Sequence, residues 1–401
     1  MSFPLKLLTI VFILLIVGYV VAAYQKSETP PVLSSLLPDA SGYDSILLYE
    51  RLARICNEAD DVVCFQQRLN EITKTNGPTA ALDVLSILHK NGKIGVYVDD
   101  HQIAHEIGRK TAQYFGLNAQ AFLACTTNFN YGCQHGFFEY VLGRTVSARE
   151  AASLICGTLE SDSAYSPKFK FYCYHGVGHG VMMAQAYDLM SSLAVCDSLT
   201  TSIGKEGCWQ GVFMENVNAA MREEAREGVF SESDPLAPCN KIADMYQHEC
   251  FINHAGWLMK VFNNNVARAS TSCLMASTKN ISACLQSIGL MVTNPLWQVT
   301  LAGDSTENSP MKTSWDLCLQ FPKNYRHECV FGAVDNILNF DELDVTRADA
   351  FCSTVSLSLQ TYCAERIGVS LRSQATDVAT VSKKCKSLKD NQALCLRGAG
   401  L

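Results

Sequence analysis

The chain has 401 residues, nearly half of them hydrophobic, a net charge of −7 and eighteen cysteines. So much apolar residue in so long a chain supplies a substantial core, which excludes disorder as the default state. The acidic balance leaves no basic footprint, so nucleic acid is not an expected partner. The cysteine content points either to an oxidising compartment or to metal–thiolate chemistry.

The amino terminus bears on the compartment. After Lys6, the run Leu7–Ala23 is apolar or small throughout. At about 1.5 Å per residue it is barely long enough for a bilayer core of about 30 Å. Val21-Ala22-Ala23 also fits a small-residue cleavage site. Residues 1–23 therefore read as a membrane anchor or a cleaved signal peptide, and either places the body outside the cytoplasm, periplasmic or extracellular. The Pro- and Ser-rich residues 24–45 read as a tether, and residues 46–401 as the folded body.

In chain order the cysteines form nine consecutive pairs: 56/64, 125/133, 156/173, 196/208, 239/250, 273/284, 318/329, 352/363 and 385/395. Four successive pairs from Cys239 onward share the spacing Cys-x10-Cys, and no Cys-x-x-Cys occurs. Zinc-ribbon and thioredoxin-like readings thus lack their signature, and a disulfide framework is expected.

The surrounding residues predict helices. Ser191–Leu199 has helical apolar spacing, Ile203-Gly-Lys-Glu-Gly207 is expected to turn the chain, and Cys208 to open a second helix through Arg222. That is an αα-hairpin, and cysteines on its arms can reach a disulfide's Cα separation of about 5.5–6 Å. Cys-x-x-Gly recurs as Cys133–Gly136, Cys173–Gly176, Cys208–Gly211 and Cys329–Gly332. The expected fold is all-α: disulfide-stapled αα-hairpin repeats forming a solenoid or an α/α toroid. At the level of architecture this resembles secreted, cysteine-stapled helical repeats of the Sel1-like kind, and lanthionine-cyclase-like toroids as well. A local alternative is that Phe169–Tyr174 is a strand running into a glycine-rich turn, as in dinucleotide binding. The glycine pattern is GxGxG rather than GxGxxG, and no βαβ series follows.

The histidines carry the chemistry. His101 and His105, His135 and Glu139, and His175 and His179 are three i,i+4 pairs in successive units. On helices each pair projects from one face, and neighbouring repeats align such faces. These six residues are the candidate metal ligands, for a transition metal, zinc or iron foremost, because imidazole suits those ions better than magnesium or calcium. If the metal is catalytic, Glu106 or Glu139 is the candidate base. A wholly structural role for the pairs, capping helices or packing on aromatics, fits the same residues. Glu215, Asn216 and His254 are further candidates for the same concavity, whereas Asp335 marks a repeat in which the paired pattern has lapsed. Residues 99–225 form the His-rich part and 226–401 the scaffold-like part.

Two function classes follow: an extracytoplasmic, membrane-anchored metalloprotein, which is an enzyme if the metal on its His-rich face is catalytic, or a non-catalytic scaffold whose concave face binds a protein or envelope component.

Overall fold

The computed structural model describes residues 42–56, 61–94, 100–142, 144, 147–160, 162, 165–294, 310–340, 343, 345–375 and 377–401. The apolar stretch Leu7–Ala23 and all but the end of the tether lie outside these residues. Among the described residues every regular element is a helix, and no helix is long and apolar enough to cross a membrane.

In chain order the helices are α1 (Ser45–Ile55), α2 (Val62–Asn76), α3 (Pro78–Lys90), α4 (Asp100–Phe115), α5 (Ala119–Leu123), α6 (Gly132–Leu142), α7 (Ala148–Leu154), α8 (Cys156–Glu160) and α9 (Pro167–Ala184). There follow α10 (Leu189–Asp197), α11 (Ser202–Met221), α12 (Asp244–Ile252), α13 (Ala255–Val261), α14 (Val266–Ser272) and α15 (Ile281–Met291). The last are α16 (Pro310–Cys318), α17 (Arg326–Phe340), α18 (Val345–Thr354), α19 (Leu357–Gln374), α20 (Val378–Lys386) and α21 (Gln392–Gly398).

All nine cysteine pairs are joined as their order suggests, with Cα separations of 5.4–5.7 Å. Each staple ties one helical segment to the next, and no cysteine is free. Closing a loop of this size stabilises by roughly 3 kcal/mol in the chain-entropy treatment. The longer helices form an array in which α4 packs on α6, α6 on α9 and α9 on α11, and later α15 on α17, α17 on α19 and α19 on α21. The array curves until α9 meets α19, where Lys168 Nζ donates to Asn339 Oδ1 at 2.7 Å and to Gln374 Oε1 at 2.9 Å. This arrangement is compatible with a tightly curved solenoid.

One expectation needs correction, and the strand alternative set aside above is absent. Helix α11 does not start at Cys208: it starts at Ser202, where Thr201 caps it by accepting from Gly204 N. The expected turn 203–207 is its first turn and a half. Gly207 is a packing glycine there, since an added Cβ would come within 2.7 Å of Phe171 O. Likewise Phe169–Gly180 is helical throughout, with Ser166 as cap and Pro167 in the first turn, so neither strand nor dinucleotide turn exists. Cys173 and Cys208 thus sit inside helices rather than opening them.

The Cys-x-x-Gly phrase then has a physical role. A Cβ on Gly136 would lie 1.8 Å from His105 O, and one on Gly211 2.0 Å from His175 O. Only hydrogen fits there, so α6 approaches α4, and α11 approaches α9, in backbone contact at the histidines.

Candidate metal centre

Helices α4, α6 and α9 bring their histidines to one place. Ring centroids are 4.5 Å apart for His101–His105, 5.5 Å for His101–His135 and 5.4 Å for His105–His135. On the other side they are 5.0 Å for His135–His175, 4.8 Å for His135–His179 and 5.0 Å for His175–His179. The two sides meet at His105–His179, 5.8 Å apart. His105, His135, His175 and His179 are buried and His101 is partly so.

Four of the five rings are held from behind at Nδ1. His101 Nδ1 donates to Phe129 O at 2.6 Å, and His105 Nδ1 donates to Glu139 Oε1 at 2.6 Å. His175 Nδ1 donates to Gln210 Oε1 at 3.0 Å, and His179 Nδ1 donates to Glu215 Oε2 at 3.1 Å. Gln210 is oriented for this because its Nε2 donates to Glu249 Oε2 at 3.2 Å. Carbonyl and carboxylate oxygens only accept, so each neutral ring carries its proton on Nδ1 and presents a bare Nε2. Those bare nitrogens face each other in pairs, His101 Nε2 to His105 Nε2 at 2.9 Å and His175 Nε2 to His179 Nε2 at 3.1 Å.

The carboxylates are themselves anchored. Arg109 Nη1 donates to Glu139 Oε2 at 2.5 Å, and Arg222 Nη2 to Glu215 Oε1 at 2.8 Å. Burial pushes the Glu139 carboxyl up, but His105 and Arg109 more than reverse this and hold it well below the usual carboxylate range. Glu215 is lowered in the same way against its burial, by His179 and Arg222. The two halves therefore repeat one device, an Arg–Glu–His chain ending in an inward Nε2.

His135 differs from the others. It is buried, and neither ring nitrogen has a hydrogen-bond partner. Burial, then the neighbouring imidazoles, lower its pKa well below the ordinary value, and His175 is lowered chiefly by burial too. Burial and then His105 bring His101 down to about 3. Rings backed at Nδ1 present their Nε2 lone pairs inward whenever they are neutral, and such a set of donors suits a cation.

Two triads, His101–His105–His135 and His135–His175–His179, each offer nitrogens within 4.8 Å of one another. Glu139, His179 and Glu215 also meet that limit, but both carboxylates are already engaged by Arg and His. Cys239, Cys250 and His254 lie close as well, yet the two sulfurs form a disulfide and offer no thiolate.

All six sequence-predicted ligands thus converge, with Glu139 behind His105. Glu106 is elsewhere: its carboxylate pairs with Arg109 at 2.8 Å and Lys110 at 3.7 Å, reaching the histidines only through Arg109. His254 donates from Nε2 to Pro235 O at 2.8 Å, away from the cluster, and Asp335 pairs with Arg366. Sequence reading missed Arg109, Gln210, Arg222 and Glu249. The one local signal was the position of Arg109, a turn beyond His105.

A cavity of about 490 Å³ is lined by Lys168, Phe171, Tyr172, Glu206, Asp335 and Arg366 among others, and Tyr172 links its wall to the centre. Tyr172 stacks on Tyr131 with centroids 4.4 Å apart, and its ring lies 5.3 Å from that of His175. Lys168, on the same wall, is brought down to about 8 by burial. Comparisons with protein-family models, curated proteins and solved structures find no match to this chain.

Proposed function

We propose that this chain is an extracytoplasmic metalloprotein whose histidine cluster binds a transition metal, zinc or iron foremost. The supporting observation is the pair of bare Nε2 atoms 2.9 Å apart on His101 and His105, matched by a second pair on His175 and His179. Two facing lone pairs repel unless a proton or a metal ion stands between them. Protons at both pairs would add two buried charges and still leave both nitrogens of His135 unsatisfied, at roughly 1–3 kcal/mol for each buried group left without a partner. Metal ions account for all of these nitrogens at once. Imidazole donors with Nδ1 held by carboxylate or carbonyl form the usual environment of zinc, iron or copper.

In this reading Glu139 and Glu215 orient and polarise ligands rather than bind the ion or act as bases, and Glu106 has no part in catalysis. The nine disulfides point to an oxidising, extracytoplasmic environment, in keeping with a chain anchored or exported by residues 1–23. The cavity behind Tyr172 is where a small substrate would reach the centre if the metal is catalytic.

The test is elemental analysis of protein purified from the exported fraction without chelators, beside a His175→Ala/His179→Ala variant. Bound transition metal in the first and markedly less in the second is the expected result, with helical content and disulfides unchanged. A metal-free wild type that takes up neither zinc nor iron, with variants that lose only stability, would favour a structural cluster on a binding scaffold.

A further inference from the structure

The site treated as one ligand set leaves the arrangement around His135 unexplained. Within 4.8 Å the five histidines collect into two triads that share only His135, rather than into one set of five. His135 is also the one ring of the five with no group behind it: both of its nitrogens are buried and unpartnered. The other four each spend Nδ1 on a protein acceptor and have one nitrogen to give. His135 has two, and it stands between two pairs.

The distances suit an ion on each side. With metal–nitrogen bonds of about 2 Å, two tetrahedral ligands of one ion have their nitrogens about 3.3 Å apart and ring centroids about 5 Å apart. The observed Nε2 separations are 2.9 and 3.1 Å, and the centroid separations within the triads run from 4.5 to 5.5 Å. The backing of the two pairs is parallel as well. One member of each leans on an Arg-anchored glutamate, His105 on Glu139 and His179 on Glu215, and the other on a neutral oxygen.

Building on the metal-binding reading, we propose that the centre is dinuclear, with the ring of His135 bridging two transition-metal ions. One ion is held by His101, His105 and one nitrogen of His135, the other by His175, His179 and the second nitrogen. On loading, His135 releases its single ring proton to solvent and binds as imidazolate, while the four outer histidines stay neutral and keep Nδ1–H. Each ion then has three protein ligands, which leaves a fourth position for water or substrate, as in open zinc sites. The ion on the His175 side is the one nearer Tyr172 and the cavity.

Chelator-stripped full-length protein titrated with Cu²⁺ alone provides the test, read by bound metal per chain and by the integrated electron-spin signal. The expected result is two Cu²⁺ per chain with a spin signal far below that of two isolated ions, because a bridging imidazolate couples the spins. In His135→Gln the signal per bound Cu²⁺ should rise to that of isolated ions. Far-ultraviolet circular dichroism checks that the variant is folded. If it is not, the wild-type stoichiometry and spin count decide the matter alone. One ion per chain, or two uncoupled ions in the wild type, overturns the bridge and leaves the metal-binding reading standing. No bound copper and no bound zinc in a parallel titration overturns both.

Discussion

His101 Nε2 and His105 Nε2 stand 2.9 Å apart, and neither carries a proton in the tautomers set by Phe129 O and Glu139 Oε1. A four-residue step on one helix makes the two rings neighbours, but it does not aim both lone pairs inward. That is done by the loop carbonyl behind one ring and the carboxylate from α6 behind the other. The same relation holds between His175 and His179, with Gln210 and Glu215 behind them.

The carboxylates behind the rings should tune metal affinity without binding metal. Glu139→Ala and Glu215→Ala are each expected to weaken binding by about 10–100-fold, the usual cost of losing such a partner. Glu139→Gln, which can still accept from His105 Nδ1, should lose less. Competition against a calibrated chelator measures this, and an affinity unchanged in both alanine variants would contradict the orienting role.

Acid should unfold the metal-free protein over a defined window. His254 is brought down to about 4 by burial, His101 to about 3, and His135 and His175 well below the ordinary value. The folded state therefore resists protons that the unfolded chain takes up near pH 6.5. Stability from these groups is full above that pH and is lost as pH falls toward about 3–4, on the order of 3–5 kcal/mol each for His254 and His101. Denaturant titrations at pH 7 and pH 4.5 should show the drop. Bound metal should reduce it at first, and then be released as protons compete for the ligands.

The close helix contacts predict the behaviour of glycine variants. Gly136→Ala and Gly211→Ala would force a methyl to within 1.8 and 2.0 Å of a backbone oxygen. The helices must separate, at a cost of about 1–3 kcal/mol or more, and the histidine pairs move with them. Gly157, in α8, meets nothing nearer than 3.7 Å, so Gly157→Ala should instead gain up to about 1 kcal/mol from helix propensity. Thermal melts of the three variants check the contrast, and metal content should fall only in the first two.

Disulfide mapping offers an independent check of the framework. Non-reducing peptide analysis should recover Cys156–Cys173, the widest loop with partners 17 positions apart, as readily as Cys239–Cys250. Reduction under native conditions should lower the midpoint of unfolding sharply, since the loss of each native staple costs about 2–5 kcal/mol in small secreted domains.

Much of this molecule is legible along the chain. Local periodicity and cysteine order suffice for the all-helical class and the neighbouring disulfides, because both depend on residues only 8–17 positions apart. The i,i+4 steps of His101/His105, His135/Glu139 and His175/His179 mark the donors for the same reason. Helix starts are not legible where glycines resemble turns: Gly204 and Gly207 belong to α11, and what they accommodate is the neighbouring α9.

The tertiary structure decides what those donors do. No local pattern says that Arg109 and Arg222 anchor the two glutamates, or that Gln210 is turned by Glu249 to back His175. Glu106, by contrast, pairs with Arg109 and Lys110, the neighbours that helical spacing by itself gives it. His135 is the clearest case. In sequence it is one of a pair with Glu139, yet the fold turns Glu139 toward His105 and leaves His135 between two imidazole pairs with both nitrogens unspent. Helical periodicity determines which side chains share a face. Which group stands behind a ring, and so which nitrogen it presents, depends on contacts between helices about 30–36 residues apart, set where Gly136 and Gly211 bring the backbones together.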